Sequence, residues 1–247
     1  MFSYAVANGS PAVVVTEGIN DVEFLKAAIE IRKPHLARFV RFFDFDFGPQ
    51  GGAGTAINTV KAFAAAGINN RVIVLLDNDT AAREARRGLR GTVPGHYLIA
   101  HYPHLDVAES YPTDGPTGRQ PTDVNGLAGS IELYLGRDVL TLPDTGELTP
   151  LRWGAHIRAL GAYQGEVTDK RRIHEAFRAK VVAARAAPSL VARQDWSGLD
   201  AIIDSLLEHL RSCGVTNPGT WDAAGPAVSR LTAPGTLATS ATSGLPL

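Results

Sequence analysis

Two uninterrupted runs of apolar, largely β-branched residues constrain this chain more than any other feature: Ala12-Val13-Val14-Val15-Thr16 and Val72-Ile73-Val74-Leu75-Leu76. Successive side chains of a strand point to opposite faces. A strand with no charged position must therefore be covered on both sides, as in a parallel sheet held between helices. Helix-like segments fall where such a sheet needs them. Phe24, Leu25, Ala28 and Ile29 share one helical face after Gly18, with Asn20 and Glu23 spaced as a capping box and Pro34 as a stop. Arg38–Phe47 alternates as a second strand. A loop with Gly48, Gly51, Gly52 and Gly54 follows, and Ile57, Val60, Phe63 and Ala64 mark a second helix ending at Gly67. Beyond the strand at Val72–Leu76 come a short arginine-rich helix, Thr80–Leu89, and a fourth strand, Tyr97–Tyr102. The expected fold is α/β: a central parallel sheet of about four strands with right-handed crossovers, flanked by helices.

Pro103–Gly129 is rich in Pro, Gly, Thr and Asp and lacks periodicity, so it reads as a long loop leading to Ser130–Glu132. Helical patterns follow at Trp153–Leu160, Lys170–Ala186 and Ser197–Arg211. The last carries Leu199, Ile202, Ile203, Leu206, Leu207 and Leu210 at helical spacing. The expected organisation is an α/β domain over 10–149, a C-terminal helical region over 150–213, and a Thr/Ser/Pro/Gly/Ala-rich disordered tail over 214–247.

Composition excludes little. With 45% hydrophobic and 20% charged residues the chain has the makeup of a soluble globular protein. A net charge of −1 supplies no general attraction for duplex nucleic acid, so any such contact must rest on local basic patches. Cys213 is the only cysteine, which rules out an intramolecular disulfide and a cysteine zinc site. No apolar stretch approaches a membrane span and no signal-peptide pattern opens the chain, so a cytoplasmic location and no membrane partner are expected.

Five acidic residues stand out against this background. Glu17 follows the first buried run and Asp21 lies four residues on; Asp77 and Asp79 follow the second; Glu132 closes Gly129-Ser130-Ile131-Glu132. A carboxylate at the end of a buried strand sits at the rim of the sheet, where open α/β folds bind ligands. Mg²⁺ takes oxygen ligands and commonly uses one or two carboxylates plus substrate phosphate. Two ions roughly 4 Å apart would clamp the attacking and leaving oxygens of an in-line phosphoryl displacement. Each acid also has a plain structural reading. Asp21 in a first helical turn is favourable by dipole interaction alone, and Asp77-Asn78-Asp79 suits a turn. Two carboxylates together at a strand end repel each other, however, unless a cation relieves them. Asp44 and Asp46 read as strand-end residues, and His96, His101 and His104 as ordinary strand positions rather than zinc ligands.

Glu17-Gly18 after one apolar strand and Asp77-Asn78-Asp79 after another resemble the Toprim domain, shared by topoisomerases, bacterial primases, recombination mediators and OLD-family nucleases. The resemblance covers residues 10–135. Glu17-x-x-x-Asp21 together with Ser130-x-Glu132 is most similar to the OLD-type subset, and the whole chain is similar to stand-alone bacterial proteins of the HEPN/Toprim-associated type. The resemblance implies two Mg²⁺ or Mn²⁺ ions, one held by Glu17 and Asp21 and the other by Asp77, Asp79, Ser130 and Glu132. It also implies a lysine that stabilises charge at the scissile phosphate, for which Lys170 is the first choice and Lys180 the rival. OLD nucleases usually carry an ATPase in the same chain. No Gly-x-x-x-x-Gly-Lys-Ser/Thr is present, and the glycines of Gly48–Thr55 lack the phosphate-binding lysine.

Arg83, Arg86, Arg87 and Arg90 recur at helical spacing behind the aspartate pair, and Arg152, Arg158, Lys170, Arg171, Arg172, Arg178 and Lys180 form a second basic group. Both are candidates for holding a sugar-phosphate backbone, with Arg171 and Arg172 completing the nucleic-acid set. The expected function is a metal-dependent nuclease, with DNA favoured over RNA as substrate, serving DNA repair or phage defence. The alternatives are a non-catalytic Toprim module that binds DNA or a partner protein, and a small RNA-maturation nuclease. An ATPase acting in trans and a homodimer are the further partners this reading admits.

Overall fold

The computed structural model describes residues 10–43, 51–89, 93–116 and 118–212. Asp44, Asp46, Arg90, Cys213 and the tail expected from residue 214 lie outside the described residues. The two apolar runs are the central strands. β1 (Ala12–Val15), β2 (Val40–Phe42), β3 (Val72–Leu76) and β5 (Tyr97–His101) form a parallel sheet in the order β2-β1-β3-β5. The five residues of β3 are all buried, and they alternate between two cores. Ile73 and Leu75 pack with Phe24, Leu25 and Ile29 of α1 (Ile19–Arg32). Val72, Val74 and Leu76 pack instead with Ala56, Ile57 and Val60 of α2 (Ala53–Ala65) and Ala82 of α3 (Thr80–Arg87). Burial on both faces is why no polar residue interrupts the run.

α1 starts at Gly18 rather than through an Asn20 capping box, because no side chain caps it; Asp21 is simply the acid of its first turn. On its outer side α1 meets two later helices, α5 (Lys170–Ala186) and α6 (Ser197–Ser212). Arg32 clasps Asp200 of α6 through Nε and Nη2, the shortest contact being 2.7 Å. Arg178 and Arg185 of α5 pair with Glu23 and Glu30 of α1, each at 2.7 Å.

Two expectations need correction. Pro103–Gly129 is not a loop: it contains β6 (Tyr111–Gly115), β7 (Gly118–Thr122) and β8 (Ala128–Gly129). Pro112 and Pro121 stand directly opposite each other in the β6–β7 ladder, so neither missing N–H disturbs a hydrogen-bonded pair. The segment from Trp153 to Leu160 is not helical either. β9 (Leu151–Ile157) and β10 (Ala162–Val167) form an antiparallel hairpin, and β9 runs parallel to β6, giving a second sheet in the order β10-β9-β6-β7. Trp153 and Ile157 are four apart, a separation shared by a helical face and by one face of a strand. The second sheet thus takes strands from either side of Pro150, and the described residues belong to one compact unit spanning 1–216. None of the described helices is long and apolar enough to cross a membrane.

Candidate functional site

The chain passes from β1 to β2 on one side, then crosses to β3 on the other, so the order reverses between β1 and β3. Ligand crevices of open parallel sheets lie at that reversal, outside the carboxyl ends of the strands. Glu17 follows β1 and Asp77 directly follows β3. The Asp77 N–H donates to Glu17 Oε1 at 2.9 Å, bridging the two strand ends. The glycine loop serves the same spot: Gly52 N–H donates to the Glu17 carbonyl at 2.6 Å, and a Cβ at Gly51 would collide with that oxygen. Those glycines seat Glu17.

The other three acids arrive from different elements. Asp21 is 6% exposed, and Tyr102, the residue after β5, donates its hydroxyl to Asp21 Oδ1 at 2.7 Å. Asp79 ends the two-residue strand β4 (Asn78–Asp79) and caps α3, its Oδ1 accepting the Ala82 N–H at 2.8 Å. Its Oδ2 accepts from Gln164 Nε2 at 2.7 Å. β4 pairs antiparallel with β8, placing Gly129 opposite Asn78. A Cβ at 129 would lie 2.6 Å from the Asn78 carbonyl oxygen, so only glycine allows this approach. The pairing swings Ser130 and Glu132 to the site. Ser130 Oγ donates to Glu132 Oε2 at 2.6 Å, and His174 Nε2 donates to Glu132 Oε1 at 2.9 Å.

Electrostatics tie the five together. Burial pushes Asp77 well above the usual carboxylate range, and the charges of Glu17, Asp21, Asp79 and Glu132 add to it. Burial likewise raises Glu17 to about 8, against the pull of the Asp77 N–H, with Asp79 and Asp21 contributing repulsion. Asp21 rises to about 6 through burial, opposed by the Tyr102 bond and increased by Glu132. Glu132 goes the other way. Burial acts to raise it, but His174, Lys170 and Ser130 together hold it at about 2.

The two lysines part company. Lys170 opens α5 with its Nζ 3.8 Å from Glu132 Oε1 and 3.3 Å from Glu166 Oε1. Burial works against its charge, but Glu132, Glu166 and Asp77 outweigh that and raise its pKa. Lys180 is buried elsewhere. Its ammonium donates to the Leu135 carbonyl at 2.8 Å, to Asp138 at 2.9 Å and to the Asp195 carbonyl, with the Trp196 ring 4.7 Å away.

The arginines also divide. Arg83 and Arg86 lie close enough to His101 for their charges to lower its pKa, though burial is the larger cause; His101 Nδ1 in turn donates to the Asp77 carbonyl at 2.7 Å. Arg83 also bonds the Gly126 carbonyl and Arg87 the Ala159 carbonyl. Arg171 is exposed, 4.0 Å from Glu175. Arg172 is turned inward, to the Val139 carbonyl and the Thr149 hydroxyl, which removes it from the basic surface expected of it.

The donor set suits hard cations. Every ligand atom offered is an oxygen, and Asp77 Oδ1 is buried with no hydrogen-bond partner. An anionic oxygen so placed among other carboxyl groups is stabilised by a cation. Among the described residues the one group of three with all potential ligand atoms within 4.8 Å is His104, Asp106 and Glu109, all exposed, where His104 and Glu109 form an ordinary surface pair at 2.9 Å. Among the described residues, no three of the five site carboxylates form such a tight group. Ions held there would keep water to complete their coordination.

Three residues at the site carry no signal in the motifs: Tyr102, Gln164 and His174. His174 lies four residues after Lys170 on α5, so helical spacing alone places it on the same face. Gln164 offered nothing, because it falls between the two stretches read as helices, Trp153–Leu160 and Lys170–Ala186. No protein-family model, curated protein or solved structure matches this chain.

Proposed function

We propose that the chain is a divalent-metal-dependent nuclease of the Toprim type, similar to the OLD family, that hydrolyses phosphodiester bonds in nucleic acid. The observation carrying this reading is the meeting of Glu17 and Asp77 at the β1/β3 crevice, with a buried Asp77 oxygen left without a partner. Glu17 and Asp21 would hold one Mg²⁺ or Mn²⁺, and Asp77, Asp79 and Glu132, steadied by Ser130, the other. Bound there, the ions would polarise the phosphate and acidify the attacking water. The water would give a proton to solvent and its oxygen would bond to phosphorus as the bond from phosphorus to the leaving sugar oxygen breaks, that oxygen taking a proton from solvent. Lys170, the one lysine beside Glu132, would face the charge that builds on the phosphate oxygens. Arg83, Arg86 and Arg171 would hold the flanking backbone. DNA is the preferred substrate and RNA the alternative.

A second reading is a non-catalytic module that binds nucleic acid or a protein. It draws on Asp79, both of whose oxygens already have structural partners. One assay separates the two: supercoiled plasmid and structured RNA incubated with Mg²⁺, Mn²⁺ or EDTA, beside Glu17→Ala and Asp77→Ala. The nuclease reading expects metal-dependent cleavage of at least one substrate, lost in both variants. Binding without cleavage supports the module, and equal cleavage by the variants rejects the assigned site.

A further inference from the structure

Three of the five carboxylates each have one side-chain donor from an element outside the acidic segments. Tyr102, at the exit of β5, donates to Asp21; Gln164, on β10, donates to Asp79; His174, on α5, donates to Glu132. We propose that Tyr102, Gln164 and His174 are positioning residues that aim these carboxylates at divalent ions, an inference that rests on the metal-site reading above. Each donor is itself fixed. Tyr102 is 2% exposed, with its ring 5.2 Å from that of Tyr134. The Gln164 carbonyl accepts the Ala81 N–H at 2.9 Å, and this settles which end of the amide faces Asp79. The His174 ring packs edge-on against Phe24, centroids 5.1 Å apart.

A carboxylate with one lone pair engaged by a rigid donor has its remaining lone pairs directed before an ion arrives. The ion then need not freeze a side chain in order to bind. Glu17 and Asp77 differ: Glu17 is held by backbone N–H groups, and among the described residues Asp77 Oδ1 has no hydrogen-bond partner. Three separately folded elements therefore converge on the site, and through Gln164 the second sheet takes part in it. The plain alternative is that these bonds only satisfy buried polar atoms.

Mn²⁺ binding by the full chain, followed by isothermal titration calorimetry, separates the two. Tyr102→Phe removes a single hydroxyl, and His174→Phe removes the ring donor at similar volume. His174→Gln keeps an N–H near the position of Nε2. Positioning predicts Mn²⁺ affinity about 10–100-fold weaker for Tyr102→Phe and His174→Phe, and largely restored in His174→Gln. Urea unfolding in EDTA establishes that the variants are folded. If folded Tyr102→Phe and His174→Phe bind Mn²⁺ within about twofold of the parent, positioning is overturned while the metal site stands. If the parent chain binds no Mn²⁺, both readings fall together.

Discussion

Glu17 and Glu132 belong to one group of carboxylates yet are displaced in opposite directions, and the difference is in their donors. Glu17 has only backbone N–H groups to offset burial and two neighbouring negative charges, whereas Glu132 has His174, Lys170 and Ser130. With Glu17 at about 8 in the fold against an ordinary 4.5, the folded chain binds the proton more tightly than the unfolded one. Its contribution to stability is therefore lost as pH rises from 4.5 to about 8, and Asp21, at about 6, adds to that loss over the lower part of the window. Glu132 stabilises above 4.5 and loses its contribution as pH falls toward about 2. Thermal unfolding in EDTA should show Tm declining between pH 5 and pH 8, and Mn²⁺ should raise Tm more at pH 8 than at pH 5. The lysines give a second test. Lys180→Ala leaves Asp138 and two carbonyls without their buried cation and should cost about 3 kcal/mol in urea unfolding. Lys170→Ala should change stability by less than about 1 kcal/mol while abolishing cleavage. Sequence offered both lysines in one helix. Choosing between them required knowing how α5 docks against Glu132, and that depends on contacts far apart in the chain.

At the scale of elements, the pairing of β4 with β8 delivers Ser130 and Glu132, and it depends on Gly129. Gly129→Ala forces a methyl group against Asn78 and should destabilise the fold by about 2 kcal/mol. It should also weaken Mn²⁺ binding, by moving Glu132 away from Asp77; calorimetry of the folded variant checks this. The parallel sheet and its helices were legible because continuous apolar runs such as β3 and the apolar faces of helices write themselves into the sequence. Two-residue strands such as β4 and β8 leave no period at all. The β6–β7 hairpin was hidden by prolines that sit where the ladder needs no N–H. The β9–β10 hairpin was hidden because Trp153 and Ile157 fit a helical face as well as a strand face. Glu17–Asp21 and Asp77–Asp79 were plain, since each follows a recognisable strand, whereas Ser130–Glu132 followed a stretch read as a loop; of the donors, Tyr102 was read only as a strand end, Gln164 fell in no element that was read, and His174 lay on a correctly read helix without a motif to mark it.

At the scale of the molecule, the described elements after Pro150 are integral to the fold. Phe177, Trp196, Leu199 and Ile203 share one core with Phe24 of α1 and Leu75 of β3, and β9 pairs with β6. A chain ending at residue 149 would expose that core, so it should lack the near-UV circular dichroism of a packed structure. The same arrangement brings Glu17 and Asp21, Asp77 and Asp79, and Glu132 together at one crevice from three stretches of chain. The most direct test of that account is the number of Mn²⁺ ions bound per chain at pH 8, measured by equilibrium dialysis for the parent, Glu17→Gln and Asp77→Asn. The account predicts about two ions for the parent and fewer in both variants. No binding by the parent, or the same number in all three, would contradict it.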